Sequence, residues 1–314
     1  FLLFSKHYNL RLNIGVYMTS NNKPSKRIKK KQFNMIRRLI NAVIHVLFFL
    51  MFPAIFSTVF SGVKYICSQF ATGQMLTINS FIITLIAVFA FTVIFGRFFC
   101  GFACAFGSYG DLMYLISSTI QRKIRKKTFQ FPKKLRNVFR YGKYVVLFAV
   151  ILLCLFGLTD WISKLSPWII FSQLIAFQAP REGGIYAIII LVLVSIGMLL
   201  EPRFFCRYLC PLGALFSLLP ILPLSSVKRS KEDCLKGCHM CEQTCPCRLD
   251  IPDVSNDENQ QMGECFQCGN CVNWCPKGNT KAVTMPNGLA GIIWQIVKTA
   301  LFFGLCWWLI HLNV

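Results

Sequence analysis

Apolar stretches free of Asp, Glu, Lys and Arg recur along the chain at 39–63, 65–96, 144–159 and 183–200, and a fifth, broken by Lys298, fills 288–314. About 20 apolar residues at about 1.5 Å each cross a hydrocarbon core of about 30 Å, so the pattern predicts five spanning helices. The last of them is expected over Ile293 to Leu312, with Lys298 about a turn inside and snorkelling to the interface. A helix lying flat on the membrane surface is the alternative there. Between the third and fourth stretches, Ser166 to Pro180 is apolar but too short to span and reads as a re-entrant or interfacial segment. Trp161, Trp168, Trp307 and Trp308 fall where an outer aromatic belt is expected. Phe1 to Tyr17 show no cleavage logic of a signal peptide, and Met18 opens a basic leader.

Composition agrees with a membrane protein: 55% of the 314 residues are hydrophobic and 15% charged. The formal charge of +22 invites a nucleic-acid reading, but its placement does not. Ten Lys/Arg precede Ile40 and ten more lie between Gln121 and Lys143, whereas 61–78 holds only Lys64 and 159–184 only Lys164 and Arg181. This asymmetry puts the amino terminus and the 121–143 loop in the cytoplasm and makes nucleic acid an unneeded partner. The first two helices then form one excursion across the membrane and the next two repeat it.

Chemistry enters at the inner end of each excursion. "RFFCGFACAFG" runs from Arg97 to Gly107 and "RFFCRYLCPLG" from Arg203 to Gly213. Cys100 and Cys206 occupy equivalent places, so the halves read as a parallel repeat about an axis along the membrane normal. Such an axis brings Cys100, Cys104, Cys206 and Cys210 towards one another, and four thiolates are a metal or cluster site by softness and number. Packing of helix ends by small buried cysteines is the bland reading, and a reducing compartment disfavours local disulfides.

The segment 225–286 carries the strongest signal. "CLKGCHMCEQTCP" and "CFQCGNCVNWCP" supply Cys234, Cys238, Cys241 and Cys245, then Cys265, Cys268, Cys271 and Cys275, each run closed by a proline. The second run has the C-x2-C-x2-C-x3-C-P spacing of two-cluster bacterial ferredoxins, whose fourth cysteine crosses to the other cluster. The expected ligand sets are therefore Cys265, Cys268, Cys271 and Cys245 for one 4Fe-4S cluster and Cys234, Cys238, Cys241 and Cys275 for the other. The first run departs from the pattern by one residue, and Cys247 stands close by as a spare thiol. Zinc is the competing reading, without the crossed closure.

On these motifs the chain resembles the NapH/NosR type of membrane-bound polyferredoxin from about Ile36 to Pro286. The resemblance implies a four-helix core with paired CxxxCP motifs, a cytoplasmic ferredoxin, and relay of electrons between a donor pool and a partner oxidoreductase, or support of metalloenzyme assembly. Ala105 in place of proline and a fifth helix depart from that pattern. His45 and His311 do not obviously supply a haem pair, Cys67, Cys154 and Cys306 read as core packing, and no G-x-G-x-x-G, P-loop or flavin-attachment sequence is present.

The expected fold is mainly helical: a polytopic core of two parallel two-helix repeats, a small α+β 2[4Fe-4S] ferredoxin module and an extra carboxy-terminal helix. Its expected divisions are a basic cytoplasmic segment 1–38, a first repeat 39–120, a basic cytoplasmic loop 121–143, a second repeat 144–224, the ferredoxin 225–286 and a last helix 287–314. The expected function is electron relay in the cytoplasmic membrane, as a subunit rather than a self-contained enzyme. Its acceptor or donor is a membrane quinone or an extracytoplasmic partner such as a flavoprotein, with a candidate third centre at the paired CxxxC motifs. Redox sensing or assembly of a metalloenzyme is the competing expectation.

Overall fold

The computed structural model describes residues 24–125, 129, 131–179, 184–219, 227–230, 232–249, 251, 262–282, 286 and 288–311. The basic leader expected before Pro24 lies outside them. Helix α1 spans Pro24–Met51 and α2 Ile55–Thr72, and their apolar parts meet at a bend of 61°. A single helix was expected over 39–63, but Pro53 can neither donate to the helix nor tolerate the carbonyl four residues back, so the ladder stops at Met51. The chain turns only after Thr72, where Gly73 adopts φ 65° and its N–H closes the helix on the Gln69 carbonyl. Asn79 then caps α3 (Ser80–Phe95) by accepting from the Ile82 N–H, and α3 packs along α2 as a hairpin. Lys64, expected to separate two spans, instead lies inside α2 and donates to Ser163 at 3.1 Å.

After the first motif, α4 covers Ala105–Arg125; α5 (Lys133–Phe139) and α6 (Gly142–Leu155) then follow almost without interruption. Short helices α7 (Thr159–Leu165) and α8 (Pro167–Ile175) precede α9 (Gly184–Leu200), which leads into the second motif. Beyond it come α10 (Phe204–Tyr208) and α11 (Pro211–Leu218). Helix α4 packs on α9, and α11 on α6, so each segment that follows a motif lies against the other half of the chain. By length and composition, 134–155 and Leu289–His311 can each cross a membrane, and the bent pair α1 and α2 would make a third span. Helices α3 and α9 are apolar but shorter, at 16 and 17 residues.

The α8 segment was read as re-entrant or interfacial, and it runs into the core. Its Trp168 is not an outer-belt residue: it is 5% exposed, with ring centroids 4.9 Å from Phe60 and 5.8 Å from Phe205 of the second motif. Ser166 and Pro167 start this helix next to α7, turning the indole inward.

The remaining elements are small. Strand β1 (Val227–Arg229) pairs antiparallel with β2 (Thr280–Ala282) in the register Val227 to Ala282. Between them lie α12 (Met240–Thr244) and α13 (Asn270–Trp274), which pack on each other. The last helix, α14 (Leu289–His311), does not lie flat on the surface of the fold. Phe302 is fully buried, 4.7 Å from the Phe91 ring and 5.8 Å from that of Phe48. Lys298 does not snorkel either: it is fully buried with Nζ 5.7 Å from the centre of the Phe98 ring, because the helix face that carries Phe302 carries it too.

Candidate iron-sulfur centres

The two motifs differ at first, with a π-helical turn over Phe99–Ala103 against an α-helical one over Phe204–Tyr208 after a left-handed Arg203, and fold alike around the second cysteine. In the first, the Cys104 N–H donates to Phe99 O at 2.9 Å, and in the second the Cys210 N–H donates to Phe205 O at 2.9 Å. Both cysteines are extended, with φ,ψ of −71°, 111° and −70°, 115°, and each opens a helix. Their sulfurs accept from the N–H three residues on, Gly107 to Cys104 at 3.4 Å and Gly213 to Cys210 at 3.1 Å. Ala105 and Pro211 therefore hold the same first helical position. That position needs no N–H bond, so alanine can stand where the expected pattern has proline.

The motifs also complete each other. A Cβ on Gly107 would lie 2.6 Å from Nη1 of Arg203, and one on Gly213 would lie 3.0 Å from Nη2 of Arg97. Each motif's glycine thus leaves room for the other motif's arginine. Arg203 donates to the Cys100 carbonyl, to the Gly101 carbonyl at 2.8 Å and to Asp111 Oδ1 at 2.7 Å. The thiols of Cys100, Cys104, Cys206 and Cys210 are all buried and interact electrostatically with one another. Burial first, and then the neighbouring sulfurs, raises the Cys104 and Cys210 thiols above their ordinary range. Cys206 is pushed up to about 11 by burial, with Cys100 adding to the shift and Arg203 opposing it.

Both motif arginines also meet the cysteine-rich segment at one residue. The Phe266 ring has the guanidinium carbon of Arg97 5.1 Å from its centre and that of Arg203 5.2 Å away. Its carbonyl rests on Gly101, where a Cβ would come within 2.5 Å of the oxygen. Beside it, Glu264 receives Arg97 at 3.0 Å and also binds Lys143. Burial would raise the Glu264 carboxyl, but the Arg97 and Lys143 charges overcome that and hold it below the ordinary carboxylate range.

Within that segment, Cys245, Cys265, Cys268 and Cys271 interact electrostatically as a second group of four. Burial pushes Cys265 up to about 12 and Cys268 to about 11, with the neighbouring sulfurs adding to both. Backbone N–H groups of Gln267, Asn270 and Val272 lie near enough to the sulfurs of Cys265, Cys268 and Cys271 to favour their thiolates. The donor set suits iron-sulfur: soft, four in number, partly buried and faced by backbone N–H groups. The set Cys234, Cys238, Cys241 and Cys275 makes other contacts: Arg229 donates to Cys241 Sγ at 3.0 Å, Cys234 to Ser230 O at 3.4 Å, and Cys275 bonds to Thr280. Cys247 is buried and lies within electrostatic reach of Cys245, Cys265 and Arg97. Among the described residues no three His, Cys, Asp or Glu side chains are gathered tightly enough for a single ion. A cubane spaces its thiolates more widely than one ion does.

The sequence did not disclose Phe266, Glu264 or Asp111. The repeated arginine and glycine were visible, as the first and last letters of both motifs. His45 donates to or accepts from Ser108 at 2.7 Å and stacks on Phe102, which gives it a partner inside the fold.

The sequence signature of a 4Fe-4S binding domain matches residues 78–127 and 184–223, two segments that each contain one motif. An uncharacterized protein of Methanocaldococcus jannaschii is 32% identical over 203 residues, covering 63% of this chain and 68% of its own length. A second protein of that organism is 29% identical over 244 residues, 76% of this chain and 93% of its own. YccM of Escherichia coli is 25% identical over 257 residues, 81% of this chain and 68% of its own. No solved structure matches the chain. With a relative of that identity and coverage, and with matches that include the ferredoxin-type protein NapH of Escherichia coli and the regulatory protein NosR of Pseudomonas aeruginosa, this chain belongs to the family of membrane-associated, ferredoxin-type electron transport proteins with a 4Fe-4S binding domain.

Proposed function

We propose that the chain relays single electrons between a cytoplasmic donor or acceptor and a membrane quinone or extracytoplasmic redox partner. The relay would run through two 4Fe-4S clusters and a third centre at the paired motifs. Cys245, Cys265, Cys268 and Cys271 would hold one cluster, Cys234, Cys238, Cys241 and Cys275 the other, and Cys100, Cys104, Cys206 and Cys210 the third centre. An iron-sulfur cluster, when bound, supplies one-electron transfer without a proton. The chain's own residues do the rest. Arg97 and Arg203 offset negative charge on the motif thiolates, and burial by phenylalanines keeps water from them. The reciprocal fit of the two motifs supports a parallel two-fold repeat, and the basic loops support a multi-pass cytoplasmic-membrane topology with the clusters on the inner face.

One contact carries this reading. Cys265 and Cys100, members of two different groups of four, are each one residue from the place where Phe266 O rests on Gly101. A path of two residues and one van der Waals step joins them. The test is iron and acid-labile sulfide on anaerobically purified protein, wild type beside a Cys100/Cys104/Cys206/Cys210→Ser variant. More than about eight iron in the wild type, falling to about eight in the variant, is expected; about eight in both would remove the third centre.

A further inference from the structure

Four arginines are buried among the described residues: Arg37, Arg97, Arg203 and Arg207. Three of them have a carboxylate partner: Arg97 has Glu264 at 3.0 Å, Arg203 has Asp111, and Arg207 has Glu201 at 3.0 Å. Arg37 of α1 has no carboxylate partner among the described residues. Its Nη2 donates to the Cys268 carbonyl at 3.2 Å, while Nε and Nη1, enclosed in the fold, find no acceptor among those residues. Helix α14 closes over the group, for a Cβ on Gly291 would stand 3.4 Å from Nη1. The guanidinium is therefore held at Cys268, inside the core, with two donors to spare.

A buried guanidinium gives up much of its hydration and is kept only where negative charge offsets the loss. Such charge is close by: Cys268 and Cys271, two of the four thiols proposed to hold one cluster, lie within its electrostatic reach. Four thiolates around an iron-sulfur core leave the whole net negative, and reduction adds one more negative charge. Arg203 also acts on Cys268, and Arg97 on Cys265, but Asp111 and Glu264 offset those two. Lys298 of α14, fully buried, adds to the positive side. Arg37 differs from the other arginines in gripping the backbone of a proposed ligand and in carrying a charge that no described carboxylate answers.

We infer that Arg37 is the counter-charge of the cluster at Cys245, Cys265, Cys268 and Cys271 and raises its reduction potential. The inference rests on that proposed ligand set. A fixed positive charge favours the reduced state, which is the more negative one, over the oxidised state. Arg37 keeps its proton in both states, so one electron arrives with no proton from this side chain. It is a positioning residue, acting through its charge and through the Cys268 carbonyl, and is not itself a ligand. Helix α1 thus reaches into the cysteine-rich segment from the membrane core, and the potential of the cluster depends on a helix outside the ferredoxin segment.

The experiment is a redox titration followed by EPR on the full chain with its iron, purified without oxygen into lipid nanodiscs. Arg37→Gln keeps an N–H donor for the Cys268 carbonyl but not the charge. It is expected to weaken reduction of one ferredoxin cluster by about tenfold, ~59 mV for a one-electron couple, and to leave the other where it was. Arg37→Lys keeps the charge and is expected to stay near the wild-type midpoint. Iron is counted in every sample, and its loss from Arg37→Gln but not from Arg37→Lys would equally support a role of the charge. An unmoved midpoint in iron-loaded Arg37→Gln would overturn the inference, as would an equal fall in Arg37→Lys or loss of iron from both variants. Cys268→Ala, read alongside, is expected to lose the iron of one cluster, about four atoms. Full iron there would remove the ligand set and the inference with it, whereas its loss beside an unmoved Arg37→Gln midpoint removes the inference alone.

Discussion

The carbonyl oxygen of Phe266 is seated on Gly101 so closely that a β-carbon there would stand 2.5 Å from it. Gly101 is therefore the floor on which the cysteine-rich segment rests. Gly101→Ala must lift Phe266 away from Arg97 and Arg203, at a cost of about 1–3 kcal/mol by analogy with other overpacking changes. Thermal unfolding in detergent should show the loss. Gly304→Ala, where nothing lies within 4 Å, is the matched change and should leave the midpoint unaltered or raise it.

Glu264 joins the segment to two buried cations from different parts of the core. Glu264→Ala leaves Arg97 and Lys143 without that carboxylate, and losing one partner of a buried pair typically costs about 3–5 kcal/mol. Limited proteolysis should then cut between 227 and 282 faster than in the wild type.

The same carboxylate sets a pH dependence. Its folded pKa lies below the unfolded value, so its contribution is complete above about pH 4.3 and is lost as pH falls through the lower folded value. Unfolding midpoints of wild type and Glu264→Gln measured from pH 7 downwards should converge in acid. A constant gap would assign the stabilisation to something other than this charge.

Arg203 should be harder to replace than its charge suggests. Its fork binds two backbone carbonyls of the first motif and Asp111 at once, which a lysine cannot do. Arg203→Lys is expected to lose iron or sulfide beyond the ferredoxin complement while the ferredoxin EPR signals persist. Asp111→Asn, at a partly exposed partner, is expected to lose less.

Ala105→Pro should be tolerated. The position starts a helix, and the extended Cys104 before it suits a following proline. A gain of about 0.4–1 kcal/mol is expected from the stiffer unfolded chain, provided the buried ring fits as that of Pro211 does. A fall in the midpoint would show that the two first helical positions are not interchangeable.

Much of this was legible in the sequence, because cysteine spacing and charge placement survive without tertiary context. The eight-cysteine segment and the paired RFFC motifs are local patterns that can be read from spacing alone. The bend at Pro53 could have been anticipated from the residue itself, but the apolar run through it looked continuous. Trp168 and Lys298 misled for a shared reason. Interface statistics place tryptophan and lysine at the membrane edge, and here aromatic packing against Phe60 and Phe98 draws them inward. The contacts of Phe266 and Glu264 depend on segments far apart in sequence.

The crossed glycine and arginine contacts constrain how such a chain can change. A larger residue at Gly107 is felt at Arg203, and one at Gly213 at Arg97, so a substitution in either motif takes effect in the other. Neither half can drift by itself at these four positions; a viable variant must alter them in step. The motif ends diverge at Ala105 against Pro211 and at Phe106 against Leu212, and the first of these falls at a helix start whose demands are local.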